Sequence, residues 1–157
     1  MMGNKQKGFS LIELLIVVAI ILIIAAIAIP NLLRSKIAAN QASAVGSLRT
    51  LNTSCIAYST SYGQFPGALA SMGPLGGTVT TASSTSADLI DSVLAAGTKS
   101  GYIFTYTAGA AQQSYSITAK AITVGQTGQN MYYTDQSGVI RVDTSGAGVS
   151  ATSTPLG

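Results

Sequence analysis

The chain has 157 residues, enough for one compact domain beside an anchor. It has no histidine and one cysteine, Cys55, which excludes an intrachain disulfide, a Cys/His zinc site and any catalytic triad built on histidine. Charged residues make up only 8% of the chain, and the formal net charge is +3.

The chain opens on a short basic leader, Lys5 and Lys7, ending in Gly8. Phe9-Ser10-Leu11-Ile12-Glu13 follows, and then an unbroken apolar run from Leu14 to Ile29. With Leu11, Ile12, Leu32 and Leu33 flanking it, this run approaches the roughly 20 residues that a bilayer span requires. A secretory signal peptide has a shorter apolar region with the small residue after it. Here Gly8 precedes the apolar segment, so a cut at this point leaves the hydrophobic helix on the mature chain. Without Lys5 and Lys7 the chain has six basic and five acidic residues, a near-neutral balance that argues against a nucleic-acid footprint. The leader lysines belong on the cytoplasmic side, and Arg34 and Lys36 beyond the span are too few to reverse that orientation.

Glu13 is the one acid in this half of the chain. An ionised carboxylate in hydrocarbon is costly enough to be read as functional by default. It can snorkel toward headgroups or be protonated at depth. It can also pair with a charge once helices stack and water leaves. The residues leave both readings open. Pro30 interrupts the helix where the apolar run ends, which predicts a kink at the membrane surface.

One long helix is expected from Phe9 to about Tyr62. Its second half is amphipathic, with Leu33, Ile37, Ala44, Leu48, Leu51, Cys55, Tyr58 and Tyr62 forming an apolar stripe that should pack on a sheet. Asn40, Gln41, Ser43, Ser47, Arg49, Asn52 and Ser54 occupy much of the remainder. Gly63 and Pro66 stop the helix. Residues 67–87 read as a Gly/Ser/Thr-rich surface loop, and Asp88–Ala96 as one short helix capped by Ser86 or Asp88. Strands follow at 102–107, 114–122, 131–134 and 139–142, the last two joined by the hairpin signal Asp135-Gln136-Ser137-Gly138. The small polar tail from Asp143 is expected to fray. The fold class is therefore α+β, a long helix packed on an antiparallel sheet of three to four strands. The organisation is leader 1–8, membrane half 9–32, amphipathic half 33–62, connecting region 63–101, and sheet with tail 102–157.

The motif from Lys7 to Leu33, K-G-F-S-L-I-E-L-L-I-V-V-A-I-I-L-I-I-A-A-I-A-I-P-N-L-L, resembles the N-terminal signal of type IV pilins. The resemblance is specific over residues 3–34 and weaker beyond. Tyr62-Gly63-Gln64-Phe65-Pro66 also resembles several pilins and pseudopilins, and residues 125–141 look like the sheet of some bacterial major pilins. The resemblance implies cleavage between Gly8 and Phe9 by a prepilin peptidase, which also methylates the new Phe9 amine. It implies that Glu13 pairs with the Phe9 amine of a neighbouring subunit, and that the helix unwinds locally between Glu13 and Pro30 during assembly. Implied partners are further copies of the chain, the peptidase/methyltransferase, an assembly platform and the inner membrane. The protein would be single-pass before assembly and part of an extracellular pilus afterwards, serving motility, adhesion or DNA uptake. Many type IV pilins close a C-terminal loop with a disulfide, and this chain departs from that pattern.

The alternative is a type II secretion pseudopilin. Such proteins often carry an acidic calcium-binding C-terminal loop, whereas Asp135, Ser137 and Asp143 are too few and too dispersed to make one. A membrane-anchored enzyme is the third class. With no histidine, no clustered acids and no nucleotide loop, neither a catalytic set nor a cofactor site is expected. Cys55 reads as a buried structural residue, with an intersubunit crosslink as the sharper alternative. The seven tyrosines read as sheet and core residues. Electron conduction along stacked rings is disfavoured, because no aromatic lies between Phe9 and Tyr58. Thr78–Ser86 reads as a solvated loop, with O-linked sugars the alternative. Asn52-Thr53-Ser54 matches a glycosylation pattern but falls on a helix.

Overall fold

A computed structural model describes residues 8–76 and 80–157. The leader residues 1–7, with Lys5 and Lys7, and Thr78 of the Ser/Thr cluster lie outside the described residues. The chain divides into two compact units, up to Ser35 and from Lys36 onward.

Helix α1 (Leu11–Tyr62) runs through both units. It starts two residues later than expected, because Ser10 serves as its cap: the Ser10 carbonyl accepts the first helical bond from the Leu14 N–H at 3.2 Å. Its end is the one anticipated. Gly63 takes the left-handed conformation at φ +75°, and its N–H caps the Ser59 carbonyl at 2.9 Å.

In the first unit the side chains are exposed almost throughout. Leu11, Leu22 and Ile29 keep 78%, 63% and 65% of their surfaces, so among the described residues nothing covers this segment. Among the described residues α1 is the one helix long and apolar enough to cross a membrane. The single long helix expected from the sequence continues through Pro30. The ring leaves the Ala26 carbonyl without its usual donor but does not end the helix.

In the second unit the stripe packs as expected, with Ala44, Leu48, Leu51, Cys55 and Tyr58 buried and Tyr62 partly covered. Three residues assigned to the polar remainder, Ser47, Asn52 and Ser54, are also buried. For Ser54 and Asn52 the fold supplies hydrogen-bond partners. Ser54 donates to the Leu89 carbonyl at 3.2 Å, and Asn52 sits in a network described below. On the solvent side, Thr50, Thr53, Thr60 and Ser61 turn their hydroxyls back onto the carbonyls of Gly46, Arg49, Ile56 and Ala57.

The connecting segment is more tied down than a surface loop. A 3-10 turn at Leu69–Met72 buries both of its end residues, and the N–H groups of Leu89 and Ile90 close back on the Met72 carbonyl. The short helix is α2 (Ser92–Ala95), capped by Asp91 rather than by Ser86 or Asp88. The Asp91 carboxylate accepts the Leu94 N–H at 2.9 Å and the Lys99 ammonium at 2.9 Å. The Lys99 bond, with the Leu94 N–H, holds this carboxyl below its usual range.

The sheet has six strands, not three to four, in simple meander order and antiparallel throughout. They are β1 (Thr98–Lys99), β2 (Tyr102–Ala108), β3 (Tyr115–Ala121), β4 (Met131–Asp135), β5 (Arg141–Asp143) and β6 (Thr154–Pro155). The central strands follow the alternation of the sequence: Tyr102, Phe104, Tyr115, Ile117, Ala119, Ala121 and Tyr132 face the core. The two missed strands have two residues each, too short to leave a periodic signal. Through β6 the tail is paired rather than frayed. Arg141 lies opposite Pro155, the Leu156 N–H reaches the Ile140 carbonyl at 2.8 Å, and the Arg141 guanidinium donates to the Ser153 carbonyl at 3.0 Å.

Candidate functional site

Gly8, Phe9, Ser10 and Glu13 form the start of the first unit. Gly8 and Phe9 precede the helix and are exposed, Phe9 at 78%. Among the described residues no atom lies within 4 Å of where a Cβ on Gly8 would stand, so they place no steric demand on a small residue there. Glu13 is three residues beyond the cap. Its Oε2 accepts the Ser10 N–H at 2.8 Å, half of a capping box, and its charge lies in the first turn, where the helix dipole favours an anion. Sequence reasoning missed this local role, although Ser10-Leu11-Ile12-Glu13 carries the S-x-x-E signal for it. The structure thus brings Glu13 within one residue of the peptide nitrogen that cleavage after Gly8 would release. Pro30, by contrast, lies far along the helix from this group.

The remaining candidates lie in the second unit. Cys55 is fully buried with its sulfur 3.9 Å from that of Met72, and burial pushes its thiol up to about 12. Tyr106 and Tyr115 stack with centroids 5.9 Å apart, and burial raises both phenols well above their usual range. Asn52 belongs to a polar knot that sequence reasoning did not find. Its Nδ2 donates to Thr134 at 2.8 Å, and its Oδ1 accepts the Tyr115 hydroxyl at 3.1 Å. The available signal was spacing, since Asn52 falls between Leu48 and Cys55 on the buried face. Its amide is thus committed inside the core. The described part of the Ser/Thr cluster contains a tight turn, Ser83 and Ser86 exchanging backbone bonds at 3.1 Å, while Tyr58 donates to the Ser84 carbonyl at 2.6 Å.

The carboxylates of Asp135 and Asp143 do not meet. Burial raises Asp135, but hydrogen bonds from the Ser137 hydroxyl and N–H outweigh it and leave the group lowered. Asp143 is lowered by the Ser145 hydroxyl and by the N–H of Gly148. Among the described residues, no three His, Cys, Asp or Glu side chains gather where a metal could be held.

Residues 3–29 match the family described as the prokaryotic N-terminal methylation motif. The N-terminal segment is thus similar to the N-terminal segments of proteins that carry this motif. The matched segment includes Gly8, Phe9 and Glu13 and ends one residue before Pro30. The chain is 51% identical over 49 residues to the type IV major pilin protein PilA of Myxococcus xanthus, covering 31% of this chain and 22% of that protein. It is 52% identical over 59 residues to the type IV major fimbrial protein FimA of Dichelobacter nodosus, covering 35% and 37%. A weaker likeness, 30% over 64 residues and 41% of each chain, is to the type II secretion system core protein G of Pectobacterium carotovorum. These matches span between 22% and 41% of the relatives' own lengths. No solved structure matches the chain.

Proposed function

We propose that this chain is the major structural subunit of a type IV pilus. The observation that carries the reading is the methylation-motif match over residues 3–29, set on a helix whose first half leaves its apolar side chains exposed among the described residues. The subunit is stored in the inner membrane, cut after Gly8, methylated on Phe9 and drawn into a helical homopolymer by a membrane assembly platform. The apolar helices exchange lipid for one another, and the sheet faces outward from the fibre. Its role is structural rather than catalytic. The relatives named as major pilins are more alike to it than the secretion-system protein, which supports a pilus over a secretion pseudopilus.

Glu13 acts in assembly. Cleavage frees an amine beside the Ser10 N–H that Glu13 already binds, and a neighbouring subunit's Phe9 amine supplies the counter-charge once water is excluded. Pro30 supports a local opening of the helix, because the Ala26 carbonyl is already without its donor.

Intact mass of subunits from sheared fibres should correspond to a chain starting at Phe9 and carrying one extra methyl group. A subunit that retains Lys5 and Lys7 would sink the reading. Gly8→Val should accumulate as membrane-bound precursor with its fold intact, since the described residues leave open space at Gly8. Glu13→Gln should insert and be cut, because removing a charge lowers the cost of insertion. Its fibre yield should fall at least tenfold, since an unpaired buried amine is penalised by about 3–5 kcal/mol. Immunoblots of precursor, mature monomer and sheared fibre read both. Wild-type fibre from Glu13→Gln would return Glu13 to a capping or snorkelling role.

A further inference from the structure

The turn end of the sheet carries an open cleft of about 370 Å³, lined among others by Thr107, Ser114, Ser116, Tyr133, Asp135 and Gln136. That volume falls in the range of small-molecule sites, about 300–1,000 Å³. The register explains how the polar groups come together. Thr107 lies opposite Ser116, and Ser116 opposite Asp135, so three adjacent strands present one row across the outward face. The side chains of Thr107, Ser114 and Ser116 have no hydrogen-bond partner among the described residues, whereas Asp135 Oδ1 accepts the Ser137 N–H at 2.9 Å and Oδ2 accepts the Tyr133 hydroxyl at 3.4 Å.

The backbone beside the cleft is shaped to admit these groups. A Cβ on Gly109 would run into the Ser114 hydroxyl, so glycine there makes room for it. In the same β2–β3 connection two non-glycine residues, Ala111 and Gln112, hold left-handed conformations at φ +50° and +55°. Such strain is unusual for side-chain-bearing residues and persists where the surroundings enforce it.

We propose that this cleft binds a neutral sugar in the pyranose form. Three free hydroxyls and a carboxylate offer donors and strong acceptors to ring hydroxyls, and Tyr133 offers an aromatic surface to the sugar's C–H groups. Arg141, the register partner of Tyr133, offsets the charge of Asp135, so neither an anion nor a cation gains much there. The inference concerns the second unit alone and does not depend on the fibre reading.

The test is an NMR titration of the full chain in a detergent without a sugar headgroup, lauryldimethylamine oxide. The probes are methyl glucopyranoside, methyl galactopyranoside and N-acetylglucosamine, with glucosamine and sialic acid as charged comparators. At least one neutral sugar should give saturable shifts at Ser116, Tyr133 and Asp135, with affinity on the order of millimolar, as expected for one exposed sugar. Asp135→Asn should weaken binding about tenfold, and Ser116→Leu, which fills the cleft, should abolish it. Absence of saturable shifts with every neutral sugar in the wild-type chain would overturn the proposal, with no reliance on a variant that folds. So would tighter binding of glucosamine or sialic acid, or binding that survives in a folded Ser116→Leu chain.

Discussion

Leu22 and Leu48 are leucines on one helix, the first among isoleucines and the second among Gly46, Ser47, Arg49 and Thr50. Leu22 keeps 63% of its surface exposed, while Leu48 keeps none. The difference lies in what each stretch is helical for. Around Leu22 every face is apolar, and in hydrocarbon a helix is the form in which a single segment satisfies its own backbone. Around Leu48 the apolar residues form a stripe, and the helix is stabilised by burying that stripe on the sheet. A helix can therefore be read correctly from sequence while the agent that stabilises it changes along its length.

The sharpest way to break this comparison is a matched truncation. Leu48→Ala should cost the second unit about 2–5 kcal/mol, the range for a buried leucine. Leu22→Ala should leave the same transition within about 0.5 kcal/mol, as for a residue without intrachain contacts. Thermal melts of the full chain in detergent, followed by near-UV tyrosine circular dichroism, decide it; equal effects would mean that the first unit supports the second.

A smaller effect comes from pH. Cys55 and Tyr102 hold their protons in the fold up to about 12, and burial also raises Tyr106 and Tyr115. The unfolded chain binds fewer protons than the folded one once pH exceeds the ordinary thiol and phenol values of about 8.5–10. Stability from these groups is full below that range and is lost as pH rises toward their folded values. The melting temperature should hold to about pH 8.5 and then fall progressively, all from the second unit. A melting temperature that stays level through pH 11 would show that these groups are not buried as described.

The smallest effects belong to the surface of the second unit. Asp91→Ala removes the α2 cap and should cost about 1 kcal/mol. Lys99→Ala loses only an exposed ion pair and should cost less than about 1 kcal/mol. Urea unfolding of both variants checks the order; a larger loss from Lys99→Ala would reverse it.

Much of the frame was legible because it rests on long patterns. The apolar run, the stripe from Ala44 to Tyr58, the Gly63 stop and the alternation in β2 and β3 each repeat a signal several times. What escaped had no such repetition. Strands β1 and β6 exist only because neighbouring strands present free edges, a tertiary circumstance. Asn52 looked like a surface residue because its polarity was weighed and its position on the stripe was not. At the N-terminal site, Gly8, Phe9 and Glu13 were legible as an ordered motif, whereas the Ser10–Glu13 capping bond was overlooked in favour of a partner outside the chain. Ala111 and Gln112 escaped because left-handed conformation in such residues has no composition signal.

The folded-back hydroxyls of Thr50, Thr53, Thr60 and Ser61 have a consequence for crowding between copies of this chain. Each donates its proton to a carbonyl of its own helix, so it can lose water without losing its principal hydrogen bond. By composition this strip of α1 is hydrophilic. Thermodynamically it is already partly dehydrated, and a neighbouring surface can press against it at little desolvation cost.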